Sequence, residues 1–313
     1  MICKICDNSE GLTEYSVKEM MFGFRDEFKY FQCEKCNCLQ IYQIPQNISK
    51  YYPDNYYSFA ELNSKETSTF SKILKKKRNR YAVFRRGLLG KILHGYKPNI
   101  PLKILSEIPI AKNSKILDVG CGNGSLLIDL SDLGFNHLTG IDPYISEDIY
   151  YDNGVTVYKK EISDVGKTFD IIMFHHSFEH LANPLETLNS VSNLLEDGGY
   201  CIVRVPTASS YAWRHYKEDW VQLDAPRHFF LHSKESINIL ASKSSLKVDK
   251  VVYDSTEFQF TGSERYLRGI PLKDDTSNDS IFTRSEISRF KKQAKELNIR
   301  EDGDACAFIL RKA

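Results

Sequence analysis

The stretch KILDVGCGNGSLLIDL, Lys115 to Leu130, sets three glycines within five residues between an apolar run and an amphipathic run. Glycine at this density weakens a strand or a helix, so it indicates that another group approaches the backbone closely there. Gly120, Gly122 and Gly124 occupy every second position, and Asp118 precedes them. A carboxylate beside the turn suits a cationic ligand better than the pyrophosphate of a dinucleotide. The segment therefore predicts a strand, a ligand-binding turn and a helix.

Short apolar runs alternate with amphipathic runs from Ser114 to the closing run ACAFILRK. Strands that alternate with helices predict an α/β fold with a doubly wound, mostly parallel sheet. Asn183 and Pro184 are typical of a helix start, and Gly198 with Gly199 of a helix stop. Such a sheet binds its ligand at the carboxyl ends of the strands, where the glycine-rich segment falls.

The overall composition is that of a globular protein, with 42% hydrophobic and 27% charged residues in a chain of 313. The chain has 42 Lys and Arg residues against 41 Asp and Glu residues, and its net charge of +1 gives no general attraction to nucleic acid. The N-terminus MICKICDNSE lacks the apolar core of a signal peptide, and the sequence has no long apolar run. We therefore expect no membrane span and a cytoplasmic location.

Four of the eight cysteines form two CxxC pairs, CKIC at Cys3 and Cys6 and CEKC at Cys33 and Cys36. In a reducing compartment, paired cysteines are typical of metal ligands. Four thiolates close a tetrahedral site that has no open position, so the spacing predicts a structural Zn²⁺ in a zinc ribbon. The alternation in EFKYFQC predicts a strand leading into the second pair. Cys38 is a candidate fifth ligand.

A tyrosine-rich segment, KYYPDNYYSF over residues 50–59, and a basic segment over residues 71–93 follow the cysteines. Apolar residues of the basic segment recur at a roughly helical spacing and predict a helix with cations on its other faces. Three interpretations of these cations stay open. They could form a solvated face, bind a phosphate-bearing substrate, or place residues 72–91 on an anionic membrane. We expect three consecutive domains: a zinc ribbon (1–45), a connector (46–110) and an α/β domain (111–313).

The segment LDVGCGNGS resembles the first motif of the class I S-adenosylmethionine-dependent methyltransferases, and the resemblance extends over residues 114–205. FDIIMFHHSFEHLANP resembles the fourth-strand motif of that family, and LLEDGGYCIVRVP its fifth helix and strand. The resemblance implies a seven-stranded sheet, an enzyme that transfers a methyl group, and S-adenosylmethionine as its cofactor.

The resemblance also implies which residues bind this cofactor. Asp118 and the glycines Gly120, Gly122 and Gly124 would hold its methionine portion. Asp142 ends GID after the second strand and would bind both ribose hydroxyls.

The resemblance places the adenosine end of the cofactor near the third and fourth strands. Glu161, or Asp164 three residues later, falls where the family contacts the adenine amine. His175, at the end of the fourth strand, either packs in the core or contacts adenosine.

The segment DWVQLDAPRHFFLHSKESINILASKSSLKV looks like the W…D-x-P-R-H…S signature of methyltransferases that modify bacterial cell-surface polysaccharides and sugars. This likeness implies O-methylation of a carbohydrate or another small hydroxylated acceptor, which residues 206–235 and 254–283 would cover. A deoxysugar C-methyltransferase is an alternative, because such enzymes have a similar N-terminal zinc module. An RNA methyltransferase that holds RNA with the zinc ribbon and the basic helix is another, although the neutral net charge weighs against it.

A hydroxyl attacks a methyl group better when a positioned base removes its proton, and histidine is suited to that role. The candidates are His180, in FEH, and His228, in APRHFF, with His180 favoured because it follows a core strand. Loss of the base should abolish a limb of the pH–rate profile near the ordinary histidine pKa of about 6.5. Glu179 with His180 also permits a divalent cation that activates the hydroxyl.

Other polar and aromatic residues near these histidines have two interpretations each. Arg227 could hold an acceptor phosphate or carboxylate, or form a structural ion pair. Tyr211, Trp213 and Trp220 could stack on a sugar ring or pack in the core.

Overall fold

The computed structural model describes residues 1–53 and 68–313, so most of the tyrosine-rich segment 50–59 and part of the connector 46–110 lie outside the described residues. The described strands are β1 (Leu12–Lys18), β2 (Glu27–Cys33), β3 (Leu39–Ile41), β4 (Lys115–Val119), β5 (His137–Ile141), β6 (Ile149–Tyr150), β7 (Thr156–Tyr158), β8 (Phe169–His175), β9 (Leu195–Pro206), β10 (Phe230–Leu231), β11 (Leu246–Tyr253) and β12 (Ala305–Lys312). The described helices are α1 (Thr69–Phe84), α2 (Leu88–Tyr96), α3 (Ile100–Ile104), α4 (Ser125–Asp132), α5 (Pro184–Leu194), α6 (Tyr211–Tyr216), α7 (Lys234–Lys243), α8 (Phe258–Leu267), α9 (Asn278–Ile281) and α10 (Arg284–Ile299).

Eight of the described strands form one sheet in the order β11-β12-β9-β8-β4-β5-β7-β6. Strand β4 lies between β5 and β8 and is parallel to both, and β5 is parallel to β7. The predicted α/β class with a mostly parallel sheet is confirmed. The sheet has eight strands where seven were expected, because the two-residue strand β6 pairs antiparallel with β7 at the edge.

Helix α5 begins at Pro184, as the Asn-Pro pair predicts. The predicted helix stop at Gly198 and Gly199 is wrong, since α5 ends at Leu194 and β9 continues through both glycines. A Cβ on Gly199 would lie 2.9 Å from the carbonyl oxygen of Asp170. The glycine therefore permits close backbone packing within the sheet.

The contacts of the chain divide it into two units, each built from more than one segment. The first unit contains Met1–Tyr52, Phe178–Leu185 and Arg204–Phe308, and the second contains Pro53–Ser177, Glu186–Val203 and Ile309–Ala313. The N-terminal residues group with late segments because β3 pairs with β10, which places Gln40 opposite Phe230.

The first unit contains the antiparallel sheet β1-β2-β3-β10. Strand β2 is the strand predicted from EFKYFQC. Trp213 and Trp220 are almost completely buried, and the Trp220 indole N–H donates to Asp304 at 3.0 Å. Both tryptophans are core residues here, which rules out their stacking on an exposed sugar ring.

The basic segment of the second unit forms two helices, α1 and α2, instead of one. The helices separate at Arg85, which has the left-handed φ of 55°, and Gly87, with a φ of 99°. Within residues 1–53 and 68–313, no helix combines the length and apolar character that crossing a bilayer requires.

Candidate functional site

The glycine turn, residues 120–124, connects β4 to α4 in the second unit. Gly120, Gly122 and Gly124 have φ angles of 71°, 54° and 74°, in the region where any side chain is strained. A Cβ on Gly120 would also lie 2.4 Å from the Cβ of Ser177. The Ser177 hydroxyl in turn donates to the carbonyl oxygen of Val119 at 2.6 Å. The turn therefore presents bare backbone at the carboxyl end of β4.

The carboxylate of Asp142, directly after β5, anchors this turn. Its Oδ2 accepts a hydrogen bond from the Gly122 N–H at 2.9 Å, and its Oδ1 accepts one from the Tyr144 N–H at 2.9 Å. Each carboxylate oxygen has a second lone pair, so both can accept a further hydrogen bond from a ligand. Asp142 thus orders two loops and keeps the capacity to bind two hydroxyls.

Asp118 is buried within β4 and lies opposite Gly140 of β5. Burial, together with the Asp142 carboxylate, raises the pKa of Asp118 from 3.8 to about 8. A positive charge near both carboxylates would favour their ionised forms. These two residues therefore form a site suited to a cationic ligand.

The residues assigned to the adenosine end lie near the ends of β7 and β8. Glu161 and Asp164 cap the turn Ile162–Asp164 reciprocally, since each side chain accepts a hydrogen bond from the backbone N–H of the other residue. Both carboxylates remain exposed. His175 is the last residue of β8 and is partly buried.

The histidine pair, His180 and His228, belongs to the first unit. The structure brings the two rings to a centroid distance of 4.8 Å, with their planes inclined at 72°. His180 ends the turn Phe178–His180, and His228 follows the loop of the D-x-P-R-H segment. The Glu179 carbonyl accepts from the Phe229 N–H at 2.8 Å, which joins the two loops.

Backbone carbonyls determine which nitrogen of each ring carries the proton. His180 Nδ1 lies 2.8 Å from the Arg227 carbonyl oxygen, and His228 Nδ1 lies 2.7 Å from that of Gln222. Because a carbonyl oxygen only accepts, each neutral ring donates from Nδ1 and keeps its lone pair on Nε2. The Tyr52 hydroxyl also approaches His180 Nδ1, at 3.2 Å. Both Nε2 atoms are thus available for a proton or a metal ion.

The two histidines differ in their electrostatic surroundings. Burial, together with the neighbouring His228, lowers the pKa of His180 from 6.5 to about 4. His228 Nε2 lies 3.9 Å from Glu179 Oε1 and 3.8 Å from Asp224 Oδ2. The Nε2 atom of His228 therefore faces two carboxylates.

Glu179, His180 and His228 also form a set of possible metal ligands, with one donor atom from each lying within 4.8 Å of the others. The sequence shows only the Glu-His pair, and His228 adds a third donor from a distant segment. A carboxylate and two imidazoles are suitable ligands for several divalent metals.

The guanidinium of Arg227 is completely buried. It donates to Glu19 at 2.9 Å, to both oxygens of Asp224, and to the Tyr51 carbonyl oxygen at 3.1 Å. Although burial opposes it, the charge of Arg227 lowers the pKa of Asp224. Arg227 therefore forms the structural ion pair, and the alternative that it holds an acceptor anion is wrong.

Comparison with known proteins identifies the family of the chain. The model of a methyltransferase domain matches residues 91–251, which is about half of the chain. The chain belongs to the class I S-adenosylmethionine-dependent methyltransferases. This confirms the family inferred from LDVGCGNGS.

Several curated methyltransferases are similar to part of this chain. The Colwellia psychrerythraea ubiquinone biosynthesis O-methyltransferase is 32% identical over 96 residues, which is 27% of this chain and 39% of that protein. The Rickettsia prowazekii ubiquinone biosynthesis O-methyltransferase is 28% identical over 49% of this chain and 64% of its own length. A Campylobacter hominis tRNA U34 carboxymethyltransferase is 28% identical over 28% of this chain and 34% of its own length. The chain thus spans between about a third and two thirds of these relatives.

Solved structures of methyltransferases also align with the chain. An O-methyltransferase of a Brevibacillus brevis polyketide synthase, in complex with S-adenosyl-L-homocysteine, aligns with a TM-score of 0.45 and 14% identity, over 75% of this chain and 79% of that one. A Mesorhizobium loti S-adenosylmethionine-dependent methyltransferase aligns with a TM-score of 0.42 and 15% identity, over 66% of this chain and 94% of that one.

The N-terminal cysteines of this methyltransferase converge on one point. The Sγ atoms of Cys3, Cys6, Cys33 and Cys36 all lie within 4.8 Å of one another. Cys3 and Cys36 are 3.5 Å apart, and Cys6 and Cys33 are 3.6 Å apart. Four sulfurs each about 2.3 Å from a central zinc would be separated by about 3.8 Å. The arrangement therefore fits a tetrahedral ion.

Each cysteine pair lies in a turn of the same design. The N–H of Asp7 donates to the Cys3 carbonyl at 2.9 Å, and that of Asn37 donates to the Cys33 carbonyl at 2.7 Å. Asp7 and Asn37 both have left-handed φ angles, of 58° and 56°. Cys38 is buried outside the four-sulfur group, and burial raises the pKa of its thiol well above 9. Cys38 is therefore not one of the four sulfurs that converge in this structure.

Several residues of these sites are not evident from the sequence. Tyr52 lies within the tyrosine-rich segment, and Asp224 belongs to the D-x-P-R-H signature without being singled out there. Ser177 packs against the glycine turn. Tyr211, a candidate for sugar stacking, is partly exposed and stacks on His215 at 5.1 Å.

Proposed function

We propose that this chain transfers a methyl group from S-adenosylmethionine to a hydroxyl group of a sugar or a similarly small acceptor, and that His228 removes the hydroxyl proton. Asp118, the glycine turn and Asp142 would hold the cofactor, because they combine buried carboxylates with bare backbone. The bound cofactor supplies a methyl group on a positively charged sulfur. Zn²⁺ held by the four N-terminal cysteines would stabilise the first unit without joining the chemistry.

The observation that carries this proposal is the fixed tautomer of the histidine pair. With Nδ1 donating to Gln222, His228 keeps the lone pair of Nε2 for the proton of an acceptor hydroxyl. Glu179 and Asp224 stabilise the positive charge that the ring then gains. His180 is a weak base at neutral pH, because burial lowers its pKa to about 4. We therefore propose His228 as the base in place of His180, the residue favoured from the sequence.

Two further observations support a hydroxylated acceptor. Two of the similar curated proteins named above are O-methyltransferases, whose reaction requires removal of a hydroxyl proton. The likeness of the D-x-P-R-H segment to sugar-modifying methyltransferases supports a carbohydrate as the acceptor. Transfer to a sugar carbon or to RNA is a competing reaction that the acceptor test distinguishes.

The test measures transfer of labelled methyl from S-adenosylmethionine to a panel of nucleotide sugars, free sugars and RNA. We expect labelling of a sugar oxygen and a decrease of about 10²–10⁴-fold in kcat for His228→Gln, with cofactor affinity retained. His180→Gln should retain activity within about tenfold, because its ring is a weak base. His137→Gln, at an exposed position in the second unit, is the matched control.

Full activity of His228→Gln would contradict the assigned base, and labelling of RNA alone would contradict the acceptor class. A chelator distinguishes base catalysis from metal activation by Glu179, His180 and His228. We expect activity to persist in the chelator. Loss of activity that Mg²⁺ or Mn²⁺ restores would replace the base with a bound metal ion, whereas loss restored only by Zn²⁺ would indicate the cysteine site.

A further inference from the structure

Helix α2 turns an apolar side toward solvent. Leu88, Ile92 and Tyr96 are 76%, 62% and 93% exposed, and they recur every four residues on one side of the helix. Surface helices of globular proteins normally bury such a stripe. Among the described residues of the second unit, nothing covers this stripe.

The opposite side of α2 packs closely against α1. A Cβ on Gly90 would lie 2.4 Å from the Lys77 carbonyl oxygen, so only glycine permits this approach. His94, four residues later, is buried and has its ring 5.8 Å from that of Tyr81. The orientation of α2 is therefore fixed by packing, and this packing directs Leu88, Ile92 and Tyr96 outward.

The same helical hairpin has a concentrated positive charge. Residues 68–106 contain eleven Lys and Arg residues and no Asp or Glu. Lys75 pairs with Asp129, and Arg85 lies 3.9 Å from Glu107. Within the described ranges, the exposed cations Lys72, Lys76, Lys77, Arg80, Arg86 and Lys91 have no ion-pair partner.

A cavity of about 460 Å³ lies beside α1 within this charged region. Lys76, Arg80, Arg86 and Lys112 contribute to its lining, together with one carboxylate, Asp132. Four cations against one anion give the cavity an excess of positive charge. A phosphate group would be attracted to it.

We propose that the hairpin α1–α2 is a docking surface for an anionic phospholipid bilayer. The outward side chains of Leu88, Ile92 and Tyr96 would enter the boundary between headgroups and acyl chains, and the surrounding cations would contact lipid phosphates. An apolar stripe flanked by cations complements a bilayer in both polarity and charge. A nucleic acid has the negative charge but no apolar layer that would cover the stripe. A second copy of this chain would bring two positively charged surfaces together, and they would repel each other.

The test is flotation of the full chain with vesicles of phosphatidylcholine alone and of phosphatidylcholine mixed with phosphatidylglycerol. We expect binding to the mixed vesicles, weak binding to the neutral ones, and release from the mixed vesicles as salt is increased. The triple variant Leu88→Ser, Ile92→Ser, Tyr96→Ser should bind about 100-fold more weakly. Its substitutions are at exposed positions, and an unchanged circular dichroism spectrum and melting temperature would verify folding.

The charge variant Lys76→Gln, Arg80→Gln, Arg86→Gln should also bind the mixed vesicles about 100-fold more weakly. Matched controls remove the same kinds of side chain elsewhere: Lys291→Gln, Lys292→Gln, Lys295→Gln for charge, and Tyr150→Ser with Ile299→Ser for apolar surface. Both controls should bind as the wild type does.

Three outcomes would overturn the proposal. In the first, the wild type does not bind the mixed vesicles. In the second, the triple variant at Leu88, Ile92 and Tyr96 (the stripe variant) binds them as well as the wild type does. In the third, the control variants lose as much binding as the stripe and charge variants. RNA binding that is insensitive to the stripe variant, without vesicle binding, would indicate a nucleic acid surface. Dimerisation lost in the stripe variant, without vesicle binding, would indicate a second copy. Methyl transfer is a separate measurement, so a failure here leaves the proposed reaction intact.

Discussion

At the scale of single residues, burial and the neighbouring Asp142 keep Asp118 protonated up to a pH of about 8. A ligand ammonium group would shift the equilibrium toward the carboxylate, and the proton would be released on binding. We therefore expect S-adenosylmethionine binding at pH 7 to release close to one proton, and its affinity to rise between pH 6 and pH 8. Calorimetry in buffers of different ionisation enthalpy measures this number directly.

Asp118→Asn is the control for that measurement, since it should bind more weakly and release almost no proton. The raised pKa of Asp118 also affects the stability of the ligand-free protein. Because the folded pKa lies above the ordinary value of 3.8, Asp118 lowers the free energy of unfolding progressively as pH rises from about 4 to about 8. Asp118→Asn should flatten this part of the stability profile. Proton release that is unchanged in Asp118→Asn would assign it to another group.

The sequence names candidate residues for the chemistry but does not rank them. The glycine turn after β4 is evident from the sequence because a turn between a strand and a helix is a local structure, and the family resemblance assigns Asp118 and Asp142 to the same ligand. The surroundings of His180 arise from non-local contacts, since the Arg227 carbonyl oxygen and the Tyr52 hydroxyl both lie near its Nδ1. Such contacts become visible only when distant segments are folded together.

At the scale of structural elements, the loop before His228 depends on one buried cation. Replacing Arg227 by Met would leave the carboxylates of Glu19 and Asp224 without their partner, and Glu19 is completely buried. We expect a loss of about 3–5 kcal/mol in the free energy of unfolding. Urea denaturation followed by tryptophan fluorescence reports on this region, because both tryptophans belong to the same unit.

Arg214→Met is a matched control for that prediction, because Arg214 pairs with Asp302 at 2.7 Å and is more than half exposed. Its loss should cost about 1 kcal/mol or less. Adding Glu19→Gln to Arg227→Met should recover part of the lost stability. Equal effects of the two arginine substitutions would show that the buried network contributes no more than a surface pair.

The elements themselves are predicted from the sequence where their signals are local. Pro184 begins α5, and the alternation of EFKYFQC forms β2. Gly198 and Gly199 are misleading, because β9 uses both: Gly198 has a φ of 78°, and the close approach of Asp170 requires glycine at position 199. The basic segment is divided by Gly87, a break that its apolar spacing does not reveal.

At the scale of the whole molecule, the cysteine cluster is linked to distant segments of the first unit. The Ser233 hydroxyl donates to the Cys36 carbonyl, and the Lys243 ammonium donates to the Ile5 carbonyl at 3.0 Å. We expect one zinc ion per chain, and its removal by a chelator to lower the melting temperature and shift the tryptophan emission. Elemental analysis and a thermal scan measure these effects.

Cys38→Ser is the control, because this buried thiol lies outside the cluster and its loss should leave the zinc content near one. The double variant Cys33→Ser, Cys36→Ser should retain no zinc. Full zinc in that variant, or a melting temperature that the chelator does not change, would contradict a structural ion at this site.

The grouping of the chain into units could not be predicted from composition. Sequence segments of distinct character predict consecutive domains, the first of them the zinc ribbon. The short strand β10 has only two residues and no periodic signal, yet its pairing with β3 places residues 204–308 in the unit of the cysteines. A two-residue strand is too short for any pattern to identify.

Because β10 follows β3 at a long distance in the sequence, the two strands can pair only late in synthesis. A ribosome adds roughly 5–20 residues per second, so roughly 10–40 s separate the appearance of β3 from that of β10. During this interval the nascent chain contains all four cysteines of the cluster but not the strand that completes their sheet. The four-stranded sheet that contains β2 and β3 is therefore complete only when Phe230 and Leu231 have been added.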